Sequence, residues 1–167
     1  MTEEIKKILV PIDNSPNSIR GLKKAVYLAR QCGASITAFH VLELPMMSAI
    51  HITNSMLENG IKKADKIISK SIKVSDKEEI GVDYRTSSGR PGAEIVKFAQ
   101  KNMFDLIVIG ARGLGSGKEL LLGSVSSYVI HKSKIPVLLV RWKINQILCK
   151  LLDGKNLALI IHPNLVL

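Results

Sequence analysis

The chain has 167 residues, a formal charge of +10, 46% hydrophobic residues and only 4% aromatics. That length suits one domain with a real core, and the shortage of aromatics makes the core aliphatic, as in an α/β sandwich of Ile, Val and Leu. No run approaches the roughly 20 apolar residues of a membrane helix. The mixed-charge opening MTEEIKK does not read as a secretory signal, and Cys32 and Cys149 make no disulfide framework, so cytoplasm is the expected location.

In chain order, residues 7–13, KILVPID, form an apolar run that ends in an acid, and they read as a buried strand. NSPNS follows with helix-start chemistry: Ser15 suits the cap and Pro16 the first helical position. Ile19, Leu22, Val26 and Ala29 recur at helical spacing, Cys32 falls on the same stripe, and Gly33 closes the helix. A second strand is expected at 35–42, SITAFHVL. After the connector ELPMMS, the spacing of Leu57, Ile61, Ala64 and Ile68 predicts an amphipathic helix from about Ser55 to Ile72. VDYRT at 82–86 reads as a weaker strand, SSGRPG as a break, and 92–102 as a helix with Ile95, Phe98 and Ala99 inward.

DLIVIG at 105–110 is the strongest strand signal. A glycine-rich stretch follows it, then a helix from Ser124 to Lys132, then the strand PVLLVR from Pro136. Strands alternating with helices predict a doubly wound, five-stranded parallel sheet with helices on both faces. Ligands of such sheets sit at the carboxyl ends of the strands, where strand order reverses. If strands 1 and 4 are neighbours there, Asp13 and Gly110 face one crevice. These elements make a domain of residues 1–142. Residues 143–167 form an extension in which LALII is a candidate small strand. It has three possible roles: covering the sheet edge, mediating pairing of chains, or lying as a loose tail.

The positive charge is dispersed in lysine pairs at 6–7, 23–24 and 62–63, with no arginine-rich arm and only one Trp and three Tyr to stack on bases. This argues for lysine-bearing helix faces over a nucleic-acid stripe. No H-E-x-x-H or paired Cys/His spacing is present, so a metal held by protein ligands is not expected. His40, His51, His131 and His162 are scattered over strand, connector, helix and tail. No catalytic residue is assigned, and a binding module is expected rather than an enzyme.

IGARGLGSGKELLLGSVSS, residues 109–127, is the stretch that carries chemistry. A Walker A loop fails, because Arg112 stands where its first glycine belongs and Glu119 where Ser or Thr belongs. A dinucleotide fingerprint fails at Lys118. Gly110, Gly113, Gly123 and Ser124 do fit G-x2-G-x9-G-[ST]. Glycines let backbone N–H groups approach an anion and allow positive φ. Gly123 and Ser124 open a helix, whose free N–H groups and dipole favour phosphate. The hydroxyls of Ser124 and Ser126 and the charge of Arg112 add candidate phosphate contacts, and 114–122 would arch over the site. Asp13 suits ribose hydroxyls or a metal, or a helix cap, while Pro11, Ile12 and Val41 lie at strand ends where an adenine can pack.

The spacing resembles the ATP-binding signature of the universal stress protein family at every fixed position. The likeness runs over residues 5–141, through ILVPIDNS, ASITAFHVLE, DLIVIGARG and LLLGSVSSYVIHKSKIPVLLVR. The resemblance implies that Pro11, Asp13 and Val41 touch base or ribose, and that Gly110, Arg112, Gly113, Gly123, Ser124, Val125 and Ser126 line the phosphates. It implies ATP as ligand, with AMP or another adenine nucleotide as alternatives, and Mg2+ held mainly by the phosphates. It also implies homodimers through the fifth strand, which fits PVLLVR as an apolar edge. The function expected is a nucleotide-responsive regulatory module of the stress response. Slow ATP hydrolysis or phosphotransfer, and nucleotide-free or nucleic-acid binding, stand as alternatives.

Overall fold

The computed structural model describes residues 4–43, 62, 66, 67, 69, 80–113, 122–141 and 158–161. β1 (Lys7–Pro11), β2 (Ser35–Leu42), β3 (Val82–Ser88), β4 (Leu106–Gly110) and β5 (Val137–Val140) are joined by α1 (Pro16–Cys32), α2 (Pro91–Lys101) and α3 (Ser124–Lys132). The sheet order is β3-β2-β1-β4-β5-β6, where β6 is Ala158–Ile161. The first five strands pair in parallel, as the alternation of elements predicts. β1 lies between β2 and β4, with Ile8 opposite both Ile36 and Leu106. The chain therefore reverses its winding between β1 and β4, and the condition that brings Asp13 and Gly110 to one crevice is met.

Both faces of the sheet are covered. Ile8, Val10 and Val108 point to the face held by Leu22, Ala25, Val26 and Ala29 of α1. Leu9, Ile107 and Ile109 point to the opposite face, against Ile95, Val96 and Ala99 of α2 and Val129 of α3. The strands alternate between two cores, which is why they read as unbroken apolar runs. Phe39 and Phe98 stack with centroids 4.2 Å apart in the second core.

Local signals explain the helix ends. Ser15 Oγ accepts the Ser18 N–H at 3.1 Å, Pro16 opens the helix, and Gly33 closes it at φ 66°. Gly33 closes the helix where expected, but one expectation is corrected. Cys32 is exposed, because the apolar stripe ends at Ala29 before a cysteine one turn further can reach the core. Phe98 is only half-buried, and Val96 takes a core place beside Ile95 and Ala99. Of the expected helix at 55–72, Lys62, Lys66, Ile67 and Ser69 are helical and Ile67 is buried in the α1-side core. Leu57, Ile61, Ala64 and Ile68 lie outside the described side chains. No helix among the described residues is long and apolar enough to cross a membrane.

The two sheet edges differ. β3 is polar at its exposed positions and carries an Asp83–Arg85 ion pair at 2.9 Å, the kind of charged edge that discourages further pairing. The expectation that β5 is an open edge is corrected. β6 runs antiparallel along it, from Val137 opposite Ile161 to Val140 opposite Ala158. Of the roles open to the extension, covering the sheet edge is the one this strand takes.

Leu22 is fully buried where α1 meets the sheet. Leu22→Ala is expected to lower unfolding free energy by about 2–5 kcal/mol, through lost burial and a residual cavity. Urea denaturation measures it, and a change within a few tenths of a kcal/mol would contradict this packing.

Candidate functional site

The strand ends at the switch point converge through backbone contacts. Gly110 ends β4 directly under the start of α1. A Cβ built there would stand 2.8 Å from the Asn17 carbonyl carbon and 3.0 Å from its oxygen, so only glycine permits this approach. Gly21 of α1 faces the Gly110 nitrogen, where an added Cβ would sit at an ordinary contact distance of 3.7 Å. Ala111 then turns away from the sheet. Its N–H donates to the Val140 carbonyl at 2.8 Å, and its own carbonyl accepts the Gly123 N–H at 2.8 Å. The Ser126 hydroxyl, 2% exposed, donates to the same carbonyl at 2.8 Å. The amino end of α3 is thus fastened to the end of β4.

Arg112 and Gly113 form the floor between the two helix starts. The Arg112 carbonyl accepts Asn17 Nδ2 at 3.1 Å, with Ser15 Oγ at 3.4 Å. A Cβ on Gly113 would stand 2.6 Å from Asp13 Oδ2, and one on Gly123 would stand 3.5 Å from the Gly113 nitrogen. Asp13, Gly113 and Gly123 therefore meet within a few ångströms, although they come from three parts of the chain. Positive φ is not the reason for these glycines, contrary to the general expectation. Among the described glycines only Gly33 and Gly89 have it, and room is what Gly110 and Gly113 supply.

α3 begins at Ser124 with Gly123 as a cap that offers no side chain. The Ser127 N–H reaches the Gly123 carbonyl at 2.9 Å. The N–H groups of Ser124, Val125 and Ser126 precede the first intrahelical donor, the Ser127 N–H, and carry the positive end of the helix dipole. Ser124 is exposed, Val125 half-buried and Ser126 buried. The Ser126 hydroxyl proton is used on Ala111, so the side chain fastens the helix start, while its backbone N–H belongs to the first turn.

On the β1 side, Asp13 is half-buried and Oδ1 accepts the Ser15 N–H at 2.9 Å. Asn14 turns the chain with φ 66°. Ile12 is engaged at both backbone groups: its N–H donates to Phe39 and its carbonyl lies 2.8 Å from His40 Nδ1, which must carry the proton toward a carbonyl. The Ile12 side chain belongs to the α1-side core and that of Val41 to the opposite core. Pro11 closes β1 opposite Phe39. Pro11, Ile12 and Val41 are all buried at the carboxyl ends of β1 and β2, with Ile12 and Val41 on opposite faces of the sheet.

Sequence reading missed Asn17, Ala111 and the role of His40. Asn17 supplies both the surface against Gly110 and the bond to Arg112, and it accepts Arg20 Nη2 at 2.7 Å. Desolvation draws the Arg20 pKa down from the ordinary arginine value, and a guanidinium so high to begin with stays charged. NSPNS signals only a helix start, and no local pattern announces a contact with a residue so far along the chain. Residues 114–121, including Lys118, lie outside the described residues. Among the described residues no group of three or more His, Cys, Asp or Glu is placed to hold a metal.

A doubly wound parallel sheet, with a glycine-lined crevice and a helix start that has no side-chain cap beside its switch point, defines a protein of the open α/β class. The chain belongs to the universal stress protein family, whose model matches residues 4–141. It is 34% identical to universal stress protein MJ0531 of Methanocaldococcus jannaschii over 144 residues, covering 81% of this chain and 82% of that protein. The solved structure of MJ0577, from the same organism, superposes with a TM-score of 0.72 at 29% identity, covering 86% of this chain and all of that one. The universal stress protein of Archaeoglobus fulgidus in complex with dAMP gives a TM-score of 0.61 at 25% identity, covering 82% and 98% of the two chains.

The close contacts rank the glycines. Gly110→Ala drives a methyl group into Asn17 backbone and is expected to cost about 1–3 kcal/mol by overpacking. Gly123→Ala meets nothing nearer than 3.4 Å and is expected to cost less. Chemical denaturation of the two variants measures the order, and equal losses would contradict the packing role of Gly110.

Proposed function

We propose that this protein is a nucleotide-responsive binding module that takes an adenine nucleotide, ATP foremost, at the carboxyl ends of β1 and β4. The observation that carries the reading is the meeting of Asp13, Gly113 and Gly123 beside the uncapped start of α3. The N–H groups of Ser124, Val125 and Ser126 would hold phosphate, because a helix start concentrates unsatisfied donors and positive potential. The spacing of Gly110, Gly113, Gly123 and Ser124 supports ATP in particular, as the signature it resembles. Asp13 would accept ribose hydroxyls, with Pro11, Ile12 and Val41 as the wall on the base side. Mg2+ would be held mainly by the phosphates, with Asp13 as the residue that would order its water. The dAMP held by the Archaeoglobus fulgidus protein supports an adenine nucleotide as the ligand class.

Binding rather than turnover is the reading we favour. Phosphoryl transfer to water needs a group that positions the nucleophile. Among the described histidines, His40 is buried on the Ile12 carbonyl and His131 is exposed in the last turn of α3, at the end away from Ser124. Bound nucleotide would engage the start of α3 and change how the protein meets a partner in a stress response. The implied homodimer through β5 is not part of this reading, because β6 lies along that edge.

Protein purified without added nucleotide and then denatured is expected to release an adenine nucleotide identifiable by mass spectrometry. Calorimetric titration of the emptied chain should give saturable ATP binding. Gly113→Val, which crowds the Asp13 carboxylate, should weaken it at least about tenfold, or about 1.4 kcal/mol, with its circular dichroism unchanged. No binding of ATP, AMP, dAMP or cyclic AMP to the wild type at millimolar ligand would overturn the proposal.

Turnover is checked separately, by following phosphate release from ATP with Mg2+ at high protein concentration. None above the buffer rate is expected. Sustained release that Asp13→Ala abolishes while binding survives would instead make the protein an ATP hydrolase.

A further inference from the structure

β5 has a neighbour on each side. β4 pairs with it in parallel, from Ile107 opposite Val137 to Gly110 opposite Val140, and β6 pairs with it antiparallel over the same four residues. All four residues of β5 are buried, between 2% and 8% exposed. Without β6, this strand would be an apolar edge with a full row of unpaired N–H and C=O groups, the feature through which sheets of separate chains join. The edge accepts one strand at a time.

We infer that β6 is an intramolecular plug for this edge: the chain's own residues 158–161 occupy the place that a second copy would take, and keep the chain monomeric there. Three observations support this. The antiparallel register is the one a returning chain produces, with the end of β5 opposite the start of β6. The two strands are joined by segment 141–157, which at about 3.3–3.6 Å per residue is ample to bring residue 158 back to residue 140. Such a tethered strand meets its site at an effective concentration of about millimolar, against on the order of micromolar for a free second copy. Finally, the new outer edge spans four residues among those described, Ala158–Ile161, and Pro163 follows it closely in the sequence. Short edges and prolines both resist further pairing. The plug does not depend on nucleotide, so the proposal stands or falls apart from the ligand.

The test combines sedimentation with hydrogen exchange on the full chain. Wild type is expected to sediment as a monomer at tens of micromolar, with amides of 158–161 exchanging at least about tenfold slower than in an unstructured peptide. In Leu159→Pro/Ile160→Pro, two adjacent prolines remove a donor facing β5 whichever way the ladder alternates. That variant should lose the protection at 158–161 and show concentration-dependent dimers. A wild-type dimer overturns the inference: with 158–161 unprotected the copies pair directly, and with 158–161 protected the strand is exchanged between copies or pairs through its outer edge. A wild-type monomer with 158–161 unprotected also overturns it, since the strand is then not docked. If the proline variant loses protection yet stays monomeric, β6 is not what keeps copies apart.

Discussion

The candidate site rests on the backbone of Ala111. Its N–H is held by Val140, and its carbonyl holds both the Gly123 N–H and the Ser126 hydroxyl. One peptide-length segment thus fixes the end of β4, the end of β5 and the start of α3 relative to one another. Buried backbone groups must find partners, and here the partners are the residues that shape the crevice. Gly110, immediately before, lets α1 descend onto the same point, and Arg112, immediately after, bonds Asn17 through its carbonyl. Two helix starts are therefore brought together by three consecutive residues.

This arrangement depends on the cores beneath it. Consecutive β1 residues point into opposite cores, Ile8 and Val10 to α1, Leu9 to α2 and α3. A shift of β1 by one residue would exchange the two sets and place Asp13 away from Gly113. The register is thus fixed by packing below and expressed as geometry at the strand ends. The other sheet edge shows the same economy. β3 deters pairing with charge and polarity, while the apolar β5 is covered by a strand from its own chain.

The element order was legible because each element carries its own period and punctuation. Ser15, Pro16 and Gly33 stand at the ends of α1 as their chemistry requires, and β2 and α3 coincide with their expected spans. Cys32 was misplaced because helical spacing runs on into the last turn of α1, while the buried face of that helix ends at Ala29. Within the site, the glycine spacing was legible and the packing partners of the glycines were not. Gly110 was read as a phosphate neighbour, and its space is filled by Asn17. Ser126 was read as a donor to phosphate, and its proton goes to Ala111.

The sequence by itself determined the α/β class, the parallel alternation, the caps of α1 and the glycine spacing that follows β4. These follow from local steric and hydrogen-bonding preferences and from hydrophobic period, which act over a few residues. The tertiary structure alone decided that β1 and β4 are neighbours, that Asp13 lies against Gly113, that Asn17 occupies the space over Gly110, and that β6 returns to β5. Each of these joins residues distant in the chain, and each is selected by how two packed faces and a limited number of backbone hydrogen bonds can be satisfied together. No short-range pattern encodes such a choice.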